Sequence, residues 1–276
     1  MSFRTILSVV GMSQGDRDVQ VATDLCSEVG AHLSVFLVAM APPPTGRYET
    51  LAPAWLEHRD RCRQELTEKV EQLRNRLASI GLSFDVESIF SDFAGVGYDI
   101  GERALYADLI VVGPAACEDE DLKRQIVAGG LFQAGRPLLF CAPGKTATLK
   151  PKTVLLAWDS RPQAARAVRD ALEIMKAAGS VHVAMVDPAS VPRASGDEPG
   201  ADVAVYLARH GIRVTVDILP STGRSVAAVL QKHALEIGAD LIVMGAYGHS
   251  RLREFMFGGT TRAMLDETSF PVLMAH

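Results

Sequence analysis

The sequence predicts an α/β protein made of two tandem domains, each a five-stranded parallel sheet flanked by helices. The first observation behind this is an internal repeat. Arg4-Thr5-Ile6-Leu7-Ser8-Val9-Val10 returns as Lys152-Thr153-Val154-Leu155-Leu156-Ala157-Trp158, and Ala107-Asp108-Leu109-Ile110-Val111-Val112-Gly113 returns as Ala239-Asp240-Leu241-Ile242-Val243-Met244-Gly245. A Pro-led apolar run closes each half, Pro137-Leu138-Leu139-Phe140 and Pro271-Val272-Leu273-Met274. The second observation is that short β-branched runs alternate with helical periodicity, the pattern of a parallel sheet covered by helices. The third is length: 276 residues exceed what one core usually fills and suit two domains of ordinary size.

Strands are expected at about 3–10, 32–40, 83–90, 108–113 and 137–142 in the first half. Between the second and third, Cys62, Leu66, Val70, Leu73, Leu77 and Ile80 recur at helical spacing and predict one buried helix face. Strands in the second half are expected at about 153–159, 181–187, 212–219, 240–245 and 271–275, with a brief helix near 201–210 after a shortened loop. That loop, 188–200, is rich in Pro, Gly and Ser and reads as mobile. The polar stretch 144–150, with Gly144 and Pro151 at its ends, reads as a linker and gives domains at 1–147 and 152–276. The last strand of each half is apolar and lies at the linker or the terminus. Such an edge invites aggregation unless covered, so the two are expected to pair with each other across a pseudo-twofold.

Composition narrows the function. With 48% apolar residues, 22% charged and a mean hydropathy of +0.13, the chain can offset its conformational entropy and form real cores. A net charge of −5 and a pI near 5.8 exclude general binding to nucleic acid or to anionic membranes. The N-terminal apolar run is too short for a signal peptide and no run is long enough to span a bilayer, so a cytoplasmic protein is expected. Cys26, Cys62, Cys117 and Cys141 match neither zinc nor CxxC spacing and read as reduced structural thiols. The seven histidines show no HxxxH or HExxH pattern, so no transition-metal site is expected; His182, alternating with apolar neighbours, reads as a surface or partner-facing residue.

The chemistry-bearing segment follows the fourth strand of the second half: Gly245-Ala246-Tyr247-Gly248-His249-Ser250-Arg251-Leu252-Arg253-Glu254-Phe255-Met256-Phe257-Gly258-Gly259-Thr260-Thr261. Ligands of parallel α/β sheets bind outside the carboxyl ends of the strands, where this loop lies. Gly245 and Gly248 allow a sharp turn with bare amides near an anion. Gly258-Gly259-Thr260-Thr261 opens a helix whose unpaired amides favour negative charge. Hydroxyls of Ser250, Thr260 and Thr261 add donors. ATP is the ligand this loop supports best.

At these residues the chain resembles the universal stress proteins, in their tandem two-domain form with Rossmann-like domains. ATP-binding members of that family carry GxxG, nine residues, then Gly followed by Ser or Thr; Gly245, Gly248 and Gly258 match, while Gly259 stands where the hydroxyl residue is expected. The family also places an Asp after the first strand, and Asp159 fits; by itself, Asp159 also reads as an N-cap of the following helix. The resemblance implies base and sugar contacts from Ala157, Asp159, Val186 and Met244. It implies that Gly245, Gly248, Gly258, Gly259 and Thr260 surround the ribose and phosphates of ATP, with or without Mg.

The first half departs from this pattern. Gly11 occupies the position of Asp159, Gly113-Pro114-Ala115-Ala116 lacks the second glycine, and Gly129-Gly130 is not spaced as Gly258-Gly259 is. Glu118-Asp119-Glu120-Asp121 would repel a phosphate, so this domain is expected not to bind ATP. No catalytic signature is present: there is no GxSxG elbow, no GxxxxGK[ST] loop and no residue to position an attacking group.

The reading is therefore a stress-response protein that is no enzyme, with at most slow ATP hydrolysis, and that has ATP, or a related adenine nucleotide, as a sensed or structural ligand. A homodimer of tandem chains and an unidentified protein partner are expected. The alternatives are a nucleotide-free dimeric interaction scaffold and an ATP-using enzyme such as a nucleotidyl transferase.

Overall fold

A computed structural model describes residues 3–13, 15–41, 48–141, 143, 146–188, 198–246, 259–266 and 270–276. The chain divides into two compact units, Phe3–Arg136 and Pro137–His276.

The first unit runs β1 (Thr5–Gly11), α1 (Gly15–Val29), β2 (His32–Ala41), α2 (Tyr48–Ala78), β3 (Phe84–Asp92), α3 (Phe93–Ala104) and β4 (Leu109–Val112). It continues through α4 (Pro114–Glu118), α5 (Glu120–Ile126) and a π-helical stretch, Val127–Gln133. Its parallel sheet has the order β3-β2-β1-β4, with Thr5 opposite His32 and Ile6 opposite Leu109. The central strand β1 is buried from Ile6 to Val10, which explains why every residue there but Ser8 is apolar.

The helix face expected from periodicity is present in α2, where Leu66, Val70, Leu73 and Leu77 are buried. Ile80 is 42% exposed because α2 ends at Ala78 and the chain has already turned. The helix also begins at Tyr48, well before the apolar repeat that announces it. Cys26 and Cys141 are buried, and burial pushes the Cys26 thiol up to about 12, a value consistent with an unreactive structural residue.

The second unit contains β5 (Leu138–Phe140), β6 (Thr153–Ala157), α6 (Pro162–Asp170), α7 (Leu172–Ala177), β7 (Ser180–Val186) and α8 (Ala201–Arg209). There follow β8 (Val214–Leu219), α9 (Val226–Glu236), β9 (Leu241–Gly245), α10 (Gly259–Asp266) and β10 (Val272–Ala275). The order is β5-β10-β9-β6-β7-β8. Where the first repeat places the 31-residue α2, the second has the nine-residue α8. The loop at 189–197 lies outside the described residues.

β6, β7, β8, β9 and β10 are parallel to their neighbours, whereas β5 runs antiparallel to β10. The closing strand of the first repeat thus covers the closing strand of the second. Leu139 sits opposite its repeat equivalent Leu273, so the strand pair has a local twofold of its own. Each closing strand thus covers one edge of the other, as expected for apolar strands.

The repeated Ala-Asp-Leu-Ile-Val segment has a structural cause. The Asp108 carboxylate accepts from the backbone N–H of Arg4 (2.7 Å) and Thr5 (3.0 Å). In the second unit Asp240 accepts from Lys152 (2.8 Å) and Thr153 (3.2 Å). In return, the amide of each Asp donates to the carbonyl of Thr5 or Thr153, at 2.9 Å in both cases. Each Asp therefore ties the start of its own strand to the start of the neighbouring one. Asp240→Ala is expected to cost about 1–3 kcal/mol, since two strand amides lose a charged acceptor. Chemical denaturation of the full chain measures this, and a cost near zero would contradict the assignment.

Candidate functional site

The parallel register of the second unit gathers several of the sequence-predicted residues at the carboxyl ends of its strands. Ala157 closes β6 directly beside Met244 of β9, and Val186 closes β7. Met244 is buried, while Ala157, Val186 and Gly245 are partly exposed. A ligand at this edge therefore meets a rim of small and apolar side chains.

Asp159 lies exposed in the turn that follows β6. Its carboxylate accepts from the Arg161 backbone N–H at 3.1 Å, and the Arg161 guanidinium stands 3.6 Å away. Ser160 supports this turn in the left-handed region, at φ 61°. The N-cap of α6 is Arg161, so Asp159 closes the turn ahead of the helix instead of capping it.

Gly245 is required by packing. A Cβ there would lie 2.5 Å from the backbone N of Ala164 and 2.6 Å from the carbonyl carbon of Gln163, at the start of α6. The end of β9 thus touches the backbone of the first turn of α6, an approach only glycine permits. Gly259 opens α10, is exposed, and among the described residues has nothing within 4 Å of its missing Cβ. Thr260 is partly exposed, whereas Thr261 is buried within the unit. Gly248, Ser250 and Gly258 lie outside the described residues, as do Tyr247 and His249.

The corresponding place in the first unit is filled by the protein itself. The buried Asp18 carboxylate, carried by α1, accepts from the N–H groups of Ala115 (2.8 Å) and Ala116 (2.9 Å) at the head of α4. Burial pushes its carboxyl above the ordinary range, and these two amides only partly offset the rise. Leu122 is buried against the end of β1, its Cδ2 3.3 Å from where a Gly11 Cβ would lie.

The acidic run 118–121 serves α5. Asp119 caps this helix by accepting from the amides of Asp121 (3.1 Å) and Leu122 (3.0 Å). Glu120 pairs with Lys123 at 2.6 Å. The pair Gly129-Gly130 belongs to the π-helical stretch and is buried.

Sequence reasoning missed a polar cluster in the second unit. His182 of β7 is only partly exposed, and its Nδ1 lies 2.8 Å from Asp217 Oδ2 on β8. His233 of α9 places Nε2 2.9 Å from the same oxygen. His182 thus faces partners within its own unit and not a free surface. Burial raises the Asp217 carboxyl, but hydrogen bonds from His233 and His182 outweigh it and hold it below the usual range. The spacings from 182 to 217 and from 217 to 233 match no local motif, so only the packing of β7, β8 and α9 reveals the cluster.

In the first unit a cavity of about 190 Å³ lies beside His32, Ser34, Asp85 and Arg103. Its polar groups satisfy one another: Asp85 accepts from His32 (2.8 Å), from Ser34 (3.1 Å) and from Arg103.

A mostly parallel α/β sheet flanked by helices, with a glycine loop leaving the end of a central strand, is the Rossmann-like class of protein. Within that class, residues 150–276 match the universal stress protein family model. That match takes in the whole of the second repeat, 152–276. A universal stress protein of Synechocystis is 37% identical over 67 residues, covering 24% of this chain and 22% of that protein's length.

Likeness over the whole chain comes from solved structures. A universal stress protein from Archaeoglobus fulgidus aligns over 98% of this chain and 97% of its own, with a TM-score of 0.65 at 16% identity. A putative universal stress protein from Pseudomonas aeruginosa covers 99% of this chain and 93% of its own, with a TM-score of 0.59 at 16% identity. At such identities these two matches speak to fold alone. Among the described residues, no helix is long and apolar enough to cross a membrane.

Proposed function

We propose that the second repeat, 152–276, binds an adenine nucleotide, ATP with or without Mg, at the carboxyl ends of β6, β7 and β9. The observation that carries this reading is the loop spacing Gly245, Gly248 and Gly258 on the end of β9, opposite Asp159 on the end of β6. Ala157, Val186 and Met244 supply the apolar rim for a base. Asp159 is a carboxylate placed for a ribose hydroxyl, and the loop amides with Gly259 and Thr260 face the phosphates. Ser250 completes the set of hydroxyl donors in this reading, while Thr261, buried within the unit, takes no part in it.

ATP acts as a sensed or structural ligand in a stress response and is not turned over. Among the described residues at this strand edge, none is placed to position an attacking water. The first repeat, 1–147, takes no nucleotide, because Asp18 already occupies the amides at the head of α4 and Leu122 covers the end of β1. The protein works in the cytoplasm as a homodimer of tandem chains that presents its state to a protein partner. A nucleotide-free scaffold is the second reading, favoured by Gly259 standing where a hydroxyl side chain would assist phosphate binding.

Calorimetric titration with Mg-ATP tests the assignment. One site per chain is expected, with no release of inorganic phosphate above background. Two equivalent sites would overturn the assignment to the second repeat alone, and steady turnover would overturn the non-enzymatic reading.

A further inference from the structure

We propose that His182, Asp217 and His233 form a binding site for a divalent transition metal, with Zn²⁺ as its natural occupant. Two imidazoles and one carboxylate are a donor set for borderline cations such as Zn²⁺, and they lack the oxygen-rich shell that Mg²⁺ and Ca²⁺ require. The three residues come from adjacent strands and the helix packed on them. Their ligand atoms lie within 4.8 Å of one another.

The geometry suits an ion after a small adjustment. Zn–N and Zn–O bonds of about 2.1 Å in a tetrahedral site put neighbouring donors about 3.3–3.4 Å apart. Here Nδ1 of His182 and Nε2 of His233 lie 2.8 and 2.9 Å from Asp217 Oδ2, the lengths of two N–H···O bonds aimed at one oxygen. A cation replaces the two ring protons, which move to the opposite nitrogens, Nε2 of His182 and Nδ1 of His233. The contacts to oxygen widen by about half an ångström.

A carboxylate already stands behind one ligand. Glu236 Oε2 lies 3.6 Å from His233 Nδ1, longer than a hydrogen bond but near enough for its charge to favour a proton on Nδ1, the tautomer that leaves Nε2 free to bind the ion. All three side chains are mostly but not fully buried, at 21, 20 and 13% exposure for His182, Asp217 and His233, so the fourth position is open to water.

The first unit supports the comparison. By strand register Ser34 is the equivalent of His182, and in that unit a carboxylate on the third strand, Asp85, meets a permanent cation, Arg103. The second unit presents two imidazoles to its carboxylate, a pair that can hold an exchangeable cation. An ion here would clamp the edge strand β8 to β7 and α9. His182 lies four residues before Val186, about 13 Å along the strand, so the site is separate from the nucleotide edge and independent of that reading.

The test uses the full chain, stripped of metal, with Co²⁺ as the probe. One equivalent is expected to produce the intense visible bands of a four-coordinate site, and Zn²⁺ to abolish them. His182→Gln with His233→Gln should lose the bands, Glu236→Gln should weaken binding about tenfold, and excess Mg²⁺ should not compete. Bands that persist unchanged in the double variant, or no bands with the intact chain, would overturn the proposal. If the double variant fails to fold, X-ray absorption of the Zn-loaded intact chain decides: two imidazoles and no sulfur support the site, whereas sulfur ligands or a lack of imidazole scattering contradict it.

Discussion

Gly113→Ala is expected to destabilise the first unit by about 3 kcal/mol, the upper end of overpacking costs in a well-packed interior. Gly113 has an ordinary extended backbone, at φ −74° and ψ 174°, so no conformational rule demands glycine. What demands it is Asp18: a Cβ at position 113 would lie 2.3, 2.4 and 2.5 Å from the Oδ1, Cγ and Cβ of that side chain. Asp18 cannot withdraw freely, because its two oxygens hold the amides of Ala115 and Ala116. Asp18→Ala alone should cost about 1–3 kcal/mol through those unsatisfied amides. The double variant should then be no worse than Asp18→Ala, because the clash goes with the side chain. Denaturant unfolding of the full chain measures all three, and strictly additive costs would contradict the direct contact. The experiment also bears on the proposed function, which takes the same contact to keep a phosphate out of the first unit.

Gly129→Ala should cost about as much, roughly 3 kcal/mol, for a different reason. Its added Cβ would stand 2.1 Å from the carbonyl oxygen of Gly97 and 2.8 Å from the amide N of Gly101, both on α3. These are backbone atoms and cannot move aside as a side-chain tip would. Three glycines thus let the π-helical stretch and α3 cross in backbone contact. Helix propensity alone would make the exchange favourable by about 1 kcal/mol, so the sign of the measured change separates the two effects. Gly259→Ala is the internal control: with none of the described residues within 4 Å, it should stay within about 0.5 kcal/mol of the parent.

The inner strands were legible because they are buried on both faces and bounded by turns, and the repeat showed three strands of each half in both copies. Asp108 and Asp240 were visible as repeated letters, but their role needed the strand ladder, which sets their carboxylates against the amides of the first strand. The beginning of α2 was missed because the apolar periodicity that marks this helix starts only at Cys62. Asp18 could not be singled out, since a lone acidic residue in an amphipathic helix reads as solvated. The His182–Asp217–His233 cluster was missed because three-dimensional packing assembles it from distant segments. Gly129-Gly130, which is not spaced as Gly258-Gly259 is, serves a helix crossing in the structure. Of the candidate site, the strand-end residues were readable because position after a strand fixes their place. Thr261 shows the limit of that reasoning, since a helical residue one step beyond Thr260 turns to the buried side.

The central claim is that residues 152–276 hold an adenine nucleotide against Asp159 and the glycine loop. Its most direct test is the melting temperature of the intact chain with and without millimolar Mg-ATP, beside a variant carrying Asp159→Ala and Gly248→Asp. A ligand that binds only the folded state at about a hundred times its Kd adds about 2.7 kcal/mol, which is several degrees for a domain of this size. The account predicts that rise in the intact chain and its loss in the variant. An unchanged melting temperature in the folded intact chain, or an equal rise in both proteins, would contradict it.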